Sequence, residues 1–369
     1  MLPTRSVRLA FGTDWTGSRG SVRLPNQMSS RRYLLALVVV LAAACGTAAG
    51  DVHVTRVQRV DFDVRPTPPP LVHPLTGEGF PAPQAWQSRQ ALAIKVENSP
   101  ASRPQSGLGE ADVVFEELTE GGVTRFIAIF HSTDAETVGP VRSARRMDPQ
   151  IVAPIGVLFA YSGAVPGVVA LVRNTGGVTD VGYDRATSAY YRSPGRRAPH
   201  NLYTSTAALW KGREGSPPEP LFSFLDLGAD PSVGGRDAAS FSFAFAGNSD
   251  TVRYAYDADT GTYLRSHGGT PHTTSGGDQV AVTNVIVQSV GVSSGSTVDA
   301  AGQATPDTQV VGDGKAVLFR GGRAIEGRWT RSSVGAKTSF VDVDGEPMQL
   351  ARGSTWIELV PRARSITIG

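Results

Sequence analysis

The sequence predicts an α+β fold, with strands and short helices in its first half and strands alone in its second. Two strand-like runs, Val113–Leu118 and Thr124–Phe130, flank a Gly121-Gly122 pair, which is typical of a β-hairpin. Segments rich in glycine, proline and serine, at 214–220 and 228–237, then precede a series of short alternating strands. The chain of 369 residues is long enough for two domains of ordinary size.

Residues 73–220 are predicted to form the first domain, in which strands are mixed with short helices. Apolar runs indicate the strands, and apolar residues at helical spacing indicate the helices. The elements expected besides the hairpin are strands over 91–96 and 157–161, a helical turn over 106–111, and helices over 167–173 and 204–210.

A further helix is expected over 144–153, with Ser143 as its N-cap. Pro149 interrupts this pattern, because proline inside a helix removes a hydrogen bond and clashes with the preceding turn. The helix therefore either restarts with Asp148 as N-cap and Pro149 at its first position, or it kinks at the proline.

Residues 236–369 are predicted to form a second, β-rich domain. Phe241–Phe245 alternates between aromatic and small residues, and Asp257–Gly261 is typical of a hairpin turn between two strands. The other strands are expected over 251–256, 263–265, 279–290, 315–320, 328–330, 338–343 and 355–360. A set of short strands of this kind predicts a β-sandwich or an open barrel.

The beginning of the chain has the pattern of a lipoprotein leader. Residues 1–27 lack periodicity and are interpreted as an upstream extension from a misassigned start codon. Residues 28–45 then form a signal peptide with a basic start, an apolar run over Tyr33–Ala44, and small residues directly before Cys45. Cys45 is the one cysteine of the chain, which favours a lipobox whose thiol takes a diacylglycerol over an ordinary secretory signal with a chance cysteine.

Residues 46–72 are predicted to be a tether, since the run Pro66–Pro70 favours extended polyproline II. Fully stretched, the tether spans up to roughly 90 Å. The expected location is the cell membrane, on its extracytoplasmic face, with a lipid anchor at Cys45. Residues 1–45 hold six arginines and one aspartate, so the mature chain has 29 basic and 32 acidic residues and a net charge of −3. This charge argues against a nucleic acid partner.

The predicted hairpin carries a cluster of charges. If its turn has two residues, period-2 alternation places Glu116, Leu118, Glu120 and Arg125 on one face. The two carboxylates would then lie diagonally on either side of the Arg125 guanidinium. A longer turn would change these partners.

Three further arginines, Arg142, Arg145 and Arg146, follow the hairpin near the expected start of the helix at residue 144. Helix N-termini attract anions, and arginine binds phosphate or carboxylate in a bidentate way, so this stretch is a candidate anion site. The alternative is that these arginines neutralise the protein's own glutamates, because structural ion pairs resemble functional sites.

The motifs of this stretch resemble those of the YerB-like family of bacterial lipoproteins. They read N-x-P-x-x-R-P-Q-S-G-L-x-x-A-D from Asn98, E-x-x-x-E-G-G-x-T-R-F from Glu116, and G-P-V-R-S-A-R from Gly139. Matching pieces also occur at 198–203, 282–288 and 353–356, so the resemblance covers nearly everything from Pro74 to Pro361. It implies an N-terminal ββα-layered domain followed by a β-rich C-terminal domain, and it implies no reaction.

The sequence contains none of the usual enzyme signatures: no G-x-S-x-G, H-E-x-x-H, P-loop or C-x-x-C. His267, His272 and Asp278 match no standard metal-ligand spacing, and an exposed turn with histidines is the favoured interpretation. Ser162 is expected to be a cap or turn residue. No metal or cofactor is predicted.

The leading hypothesis is a lipid-anchored envelope protein that binds an anionic or carbohydrate ligand, such as a wall polymer, or a protein partner. The rival hypothesis is an envelope hydrolase or transferase acting on wall polymer or lipid-linked phosphate, with Glu116 or His200 as acid or base. An enzyme would need a carboxyl or imidazole of perturbed pKa beside the arginines in a concave pocket. The candidate ligand-binding residues are Asn98, Arg103, Glu116, Glu120, Arg125, Arg142, Arg145, His200 and Asn201.

Overall fold

The computed structural model describes residues 71–80, 84–247, 251–298 and 302–369. All of these residues belong to one compact unit. The predicted upstream extension, signal peptide, Cys45 and all but the last two residues of the tether lie outside the described residues. In the described part of the chain, no helix is both long and apolar enough to span a membrane.

Strands dominate the described residues, and the helices are short. The first half contains strands β1 Leu71–Val72, β2 Gly79–Phe80, β3 Ala91–Glu97, β4 Val113–Leu118, β5 Thr124–Phe130, β6 Val157–Ala160, β7 Val178–Asp180, β8 Tyr190–Arg192 and β9 Leu202–Thr204. The helices are α1 Asp148–Val152, α2 Pro166–Asn174 and α3 Thr206–Trp210, and 3-10 turns lie at Ala85–Ser88, Pro100–Ser102, Glu120–Gly122 and Thr187–Ala189.

The second half contains strands without further helices in the described residues. These strands are β10 Ser223–Phe224, β11 Arg236–Asp237, β12 Ser240–Ala244, β13 Thr251–Asp257, β14 Thr262–His267, β15 Thr270–Pro271, β16 Ala281–Val282, β17 Asn284–Val290, β18 Val292–Val298, β19 Ala304–Thr308, β20 Gly312–Arg320, β21 Arg323–Arg331, β22 Ser339–Asp342, β23 Gln349–Leu350, β24 Thr355–Pro361 and β25 Thr367–Ile368.

An eleven-stranded mixed sheet forms the centre of the unit, in the order β11-β21-β20-β17-β24-β4-β5-β3-β6-β7, with β22 paired to β21. Strands β4 and β24 join the two halves of the sequence, and their parallel pairing aligns Val113 with Thr355 and Glu116 with Glu358. Both halves therefore share one sheet, and the sandwich expected of residues 236–369 is formed by strands from both halves.

A second sheet of six strands, β15-β14-β13-β12-β25 with β16 on β14, covers one face of the large sheet. Phe241 and Tyr254 of the small sheet belong to the same apolar core as Val96, Val114 and Phe126 of the large one. Alternation along the strands sends their neighbours to the opposite face. There, residues such as Phe115 and Ile127 share a core with helices α1 and α2, as Ile151 and Val168 illustrate.

The strand predictions for the hairpin are confirmed at both ends, since β4 and β5 have the predicted bounds. The predicted helix start at Ala144 is wrong. Residues 141–145 are extended, since Val141 bridges to Val96 and the Ala144 N–H donates to the carbonyl of Gly163, and residues 146–147 form a turn. The helix begins at Asp148 with Pro149 in its first turn. The helical turn expected over 106–111 is also absent, and Ser106 there forms a bridge to Gly139.

Candidate functional site

The hairpin turn is longer than two residues, and this changes which side chains share a face. Residues 119–123 form the turn, Gly121 has a positive φ of 69°, and the strand register pairs Glu117 with Arg125. Glu116 pairs with Phe126 and therefore points to the opposite face. The predicted cluster of Glu116, Glu120 and Arg125 is wrong for Glu116, and the candidate residues divide into three groups.

Glu116 belongs to a polar group that is buried between the two sheets. Its carboxylate accepts from Arg265 Nη2 at 2.6 Å and from Asn98 Nδ2 at 3.0 Å. Glu116 and Arg265 are fully buried, and Arg265 also donates to the Tyr254 hydroxyl at 3.1 Å. Tyr254 in turn donates to Glu358, which pairs with Glu116 across the two central strands.

Electrostatics distinguish the two carboxyls of this group. Burial disfavours the charge of Glu116, but the charges of Arg265 and His267 outweigh burial and hold its pKa below the ordinary value. Burial and the neighbouring charge of Glu116 raise the pKa of Glu358 well above the ordinary value. The group therefore contains one charged and one neutral carboxyl around a single guanidinium, which is an arrangement that balances charge in a dry interior.

His267 and His272 are not exposed turn residues, as the sequence had indicated, but are both buried beside Arg265. The guanidinium lies 2.6 Å from His272 Nδ1, and the other ring nitrogen of His272 lies 2.9 Å from Gln105 Oε1. Burial and the charge of Arg265 hold the pKa of His272 well below its ordinary value. Within the described residues, no group of three or more histidine, cysteine, aspartate or glutamate side chains is arranged to hold a metal ion.

Asn98 and Arg103 complete this first group. Asn98 donates to Thr124 Oγ1 at 2.7 Å, and Arg103 donates to the Asn98 side-chain oxygen at 3.1 Å and to its backbone carbonyl at 3.0 Å. These bonds fix the chain where it leaves β3. Asn98 thereby connects the end of β3 to Glu116 of β4 and Thr124 of β5, and Arg103 holds Asn98 in place.

The second group joins Glu120, Arg125 and Arg145 on the other face of the hairpin. Arg145 Nη2 donates to Glu120 at 2.7 Å, Arg125 Nη2 lies 3.8 Å from the same carboxylate, and Thr305 Oγ1 donates to it at 2.5 Å. Burial opposes the charge of Glu120, yet the hydrogen bonds from Arg145 and Thr305 lower its pKa to about 2. Burial and the neighbouring Arg145 charge, with a smaller contribution from Arg142, lower the pKa of Arg125 to about 10.

A buried trio lies beneath this second group. The Lys95 ammonium contacts Glu117 and lies 2.9 Å from Asp148 Oδ1, and all three side chains are at most 2% exposed. Burial and the nearby Asp148 raise the pKa of Glu117 to about 8, although the charge of Lys95 opposes this shift. Asp148 also accepts from the Arg145 N–H at 2.8 Å, which ties the arginine segment to the start of α1.

The third group forms around Glu97 at the end of β3. Its carboxylate lies 2.9 Å from His200 Nδ1 and 3.5 Å from Arg142 Nε, and it accepts from Ser99 Oγ at 2.7 Å. Glu97 is 4% exposed, whereas the side chains of Arg142 and His200 are 23% and 28% exposed. Asn201 is not part of this group. Its side-chain oxygen instead accepts a hydrogen bond from the Arg192 guanidinium at 2.8 Å.

The second and third groups together define the arginine surface: Glu97, Glu120, Arg125, Arg142, Arg145 and His200. An extended segment of residues 141–145 connects them, with the Arg142 N–H bonded to Lys95 O and the Ser162 N–H bonded to Arg142 O. Three guanidinium groups share this surface with two carboxylates, so positive charge is in excess. Chemically, such a surface is suited to binding an anion through charge-assisted hydrogen bonds.

Sequence reasoning missed several members of these groups, namely Lys95, Glu97, Glu358 and Arg265. Lys95 and Glu358 stand within apolar strands, and a charge in a fully buried strand is itself a signal, because such charges are almost never buried unless paired. Arg265 is 149 residues from its partner Glu116, and no local pattern connects them.

Comparisons with known proteins agree with the two-part organisation. Residues 75–219 match the family described as "Protein of unknown function (DUF3048) N-terminal domain", and residues 241–357 match the corresponding C-terminal domain. A Bacillus subtilis protein named "Putative lipoprotein YerB" is 33% identical over 300 residues, which cover 79% of this chain and 86% of that protein. The crystal structure of the YerB protein from Bacillus subtilis aligns with a TM-score of 0.68 and 31% identity, covering 80% of this chain and 99% of that one.

Proposed function

The chain belongs to the DUF3048 family, and from this premise we propose that it is a lipid-anchored envelope protein that binds an anionic ligand at the arginine surface. The anchor would be Cys45, on the extracytoplasmic face of the membrane. The leader pattern around that cysteine and the word lipoprotein in the name of the Bacillus subtilis relative support this part of the proposal. Cys45 itself lies outside the described residues.

One observation favours binding over catalysis. The carboxyl with the strongly raised pKa beside the arginines, Glu117, is 2% exposed and contacts Lys95, so a ligand at the surface does not reach it. The guanidinium groups that do reach solvent belong to Arg142 and Arg145, with side chains 23% and 12% exposed. A surface that offers cations and shields its titratable acid is suited to holding an anion rather than to transferring a proton.

Arg142 would make the main contact with the anion. Its partner Glu97 has two further partners, Ser99 and His200, so the guanidinium can turn toward a ligand without leaving a buried carboxylate unpaired. Arg145 is less free, because its guanidinium donates to the carbonyls of Ser143 and Ala144 as well as to Glu120. Repulsion among the three guanidinium groups adds to burial in lowering the pKa of Arg125. A bound anion would reduce that repulsion.

The proposal is tested by titrating the purified full chain, in detergent, with inorganic phosphate in a calorimeter. Wild type is expected to bind phosphate, and Arg142→Gln is expected to lose at least about tenfold in affinity, since a charge-assisted hydrogen bond contributes roughly 1.5–3 kcal/mol. Arg328→Gln is the matched control, because Arg328 of strand β21 pairs with Asp313 of the adjacent strand β20 and is not part of the arginine surface. Equal phosphate affinity in wild type and Arg142→Gln would refute the site.

An enzyme remains the second candidate because of the His200–Glu97 pair. Glu97 holds Nδ1 of the imidazole at 2.9 Å, which orients the ring and leaves Nε2 for proton transfer at the partly exposed surface. An envelope hydrolase or transferase acting on wall polymer would use such a base. Mass spectrometry of wall material from cells with wild-type protein, His200→Ala protein and no protein distinguishes the two candidates. A change in covalent structure in the last two samples would favour the enzyme.

A further inference from the structure

A basic segment lies beside the arginine surface. Residues 185–213 contain six basic residues and no acidic one, although the chain after Cys45 carries a net charge of −3. The six are Arg185, Arg192, Arg196, Arg197, Lys211 and Arg213. Positive charge is thus concentrated in one segment of an otherwise acidic protein, which is the usual electrostatic mark of a surface for negatively charged partners.

The fold attaches part of this segment to the arginine surface. Strands β8 and β9 form a hairpin, and the Val141 N–H bonds to Leu202 O at 2.7 Å, directly before Arg142. Arg196 fixes the hairpin loop by donating to the carbonyl of Ser102 at 2.8 Å, and His200 fixes it through Glu97. The loop of residues 193–201 therefore lies next to Arg142.

Two arginines of this hairpin are exposed and lack a negatively charged partner. Arg192 donates to the neutral amide of Asn201, and Arg197 is exposed at the tip of the loop. Neither has a carboxylate within ion-pair distance among the residues that the structure describes. Some exposed arginines elsewhere have such partners, as Arg236 has Glu326, whereas others, such as Arg253 and Arg364, have none among the described residues. Arg192 and Arg197 differ from those arginines in position, because their hairpin is hydrogen-bonded to the segment that carries Arg142.

We propose that the ligand of the arginine surface is an extended polyanion, a phosphodiester-linked polymer that runs from Arg142 across the hairpin to Arg192 and Arg197. This inference rests on the anion site proposed above and names its ligand class. A single phosphate would be held by Arg142 and its neighbours, whereas a polymer would add contacts at successive phosphates and gain affinity from their linkage. The tether predicted for residues 46–72 favours a wall polymer over lipid headgroups, because a proline-rich segment of that length would let the folded part stand away from the membrane.

The test uses the full chain in detergent and compares a synthetic oligo(glycerol phosphate) of about ten units with glycerol 3-phosphate. Wild type is expected to bind the oligomer at least about tenfold more tightly than the monomer, by the effect of linked contacts. The double variant Arg192→Gln/Arg197→Gln is expected to lose that gain. Its salt dependence should also weaken, since each lost phosphate contact reduces the slope of log K against log salt by roughly one. Both positions are exposed, so the fold should be unaffected.

The outcomes separate this inference from the anion site itself. If the double variant binds the oligomer as tightly as wild type while Arg142→Gln does not, the anion site stands and the polymer path is refuted. If wild type binds neither oligomer nor monomer, the anion site fails and the polymer path fails with it. If the double variant loses binding only to vesicles containing anionic phospholipid, the surface contacts the membrane and the polymer assignment is wrong. Arg236→Gln, on strand β11, is the control and should match wild type in every assay.

Discussion

Replacement of Arg265 by alanine should destabilise the whole unit more than any surface change. Its guanidinium is the one cation, among the described residues, in hydrogen-bond contact with Glu116, and both side chains are fully buried. The variant leaves a buried carboxylate without its countercharge, which costs about 3–5 kcal/mol. It also removes the guanidinium that lies 5.3 Å from the Trp356 ring centre. Arg265→Lys keeps the charge but loses the fork of donors, so its effect should be smaller.

The assay is urea unfolding followed by tryptophan fluorescence, with the free energy of unfolding extrapolated to water. Arg236→Ala is the control, because Arg236 and Glu326 are each more than half exposed and such pairs contribute at most about 1 kcal/mol. Glu116→Gln tests the same contact from the other strand and keeps the side-chain shape. A loss in Arg265→Ala no larger than that in Arg236→Ala would show that the buried pair does not hold the sheets together.

Three further predictions follow from the charges, the leader and the shared sheet. The free energy of unfolding should fall as pH rises from about 5 to 9, because the pKa of Glu117 is raised to about 8 in the folded state and its neutral, stabilising form deprotonates over this range. Urea titrations at each pH measure this dependence, and Glu117→Gln should flatten it. Cys45→Ala should release the protein from the membrane fraction on cell fractionation, and quantitative retention would contradict the anchor. Limited proteolysis should cut within the exposed residues 226–236. The two pieces should still elute together in gel filtration, because β4 of the first piece pairs with β24 of the second. Separate elution without denaturant would contradict this.

The strands of the hairpin were predictable because their apolar runs end at polar and glycine residues. Their relative register was not, because the turn spans residues 119–123, and a shift of one residue sends every side chain of a strand to the other face. That shift moved Glu116 from the arginine surface into the interior. Of the two carboxylates predicted to lie beside Arg125, Glu120 does and Glu116 does not.

The sequence predicted that Arg142 and Arg145 lie close together, but it predicted the wrong local structure for them. The sequence placed Arg142 and Arg145 at a helix N-terminus, whereas they lie on an extended segment held between β3 and residues 162–163. Ion pairing with Glu97 and Glu120, rather than a helix dipole, determines their positions. Glu97 lies in the same buried strand as Lys95, so its charge was a similar signal of a buried pair, but no local pattern identified Arg142 or His200 as its partners.

The shared sheet was the least predictable feature, because it depends on a parallel pair between strands more than two hundred residues apart in the sequence. Local patterns specify strands, but they do not specify which distant strand lies alongside. The boundary between residues 220 and 236 therefore separates two segments of the sequence, but strands from both segments lie in one sheet. That boundary stays a prediction.

Diffraction from crystals grown with tungstate, a heavy analogue of phosphate, tests the proposed anion site most directly. The anomalous signal locates the anion independently of any activity or phenotype. We predict an anion peak within about 4 Å of the Arg142 guanidinium, with Arg145 on its other side, and no such peak in crystals of Arg142→Gln. Anion density confined to other exposed arginines, such as Arg173 or Arg328, with none at Arg142, would contradict the proposed function.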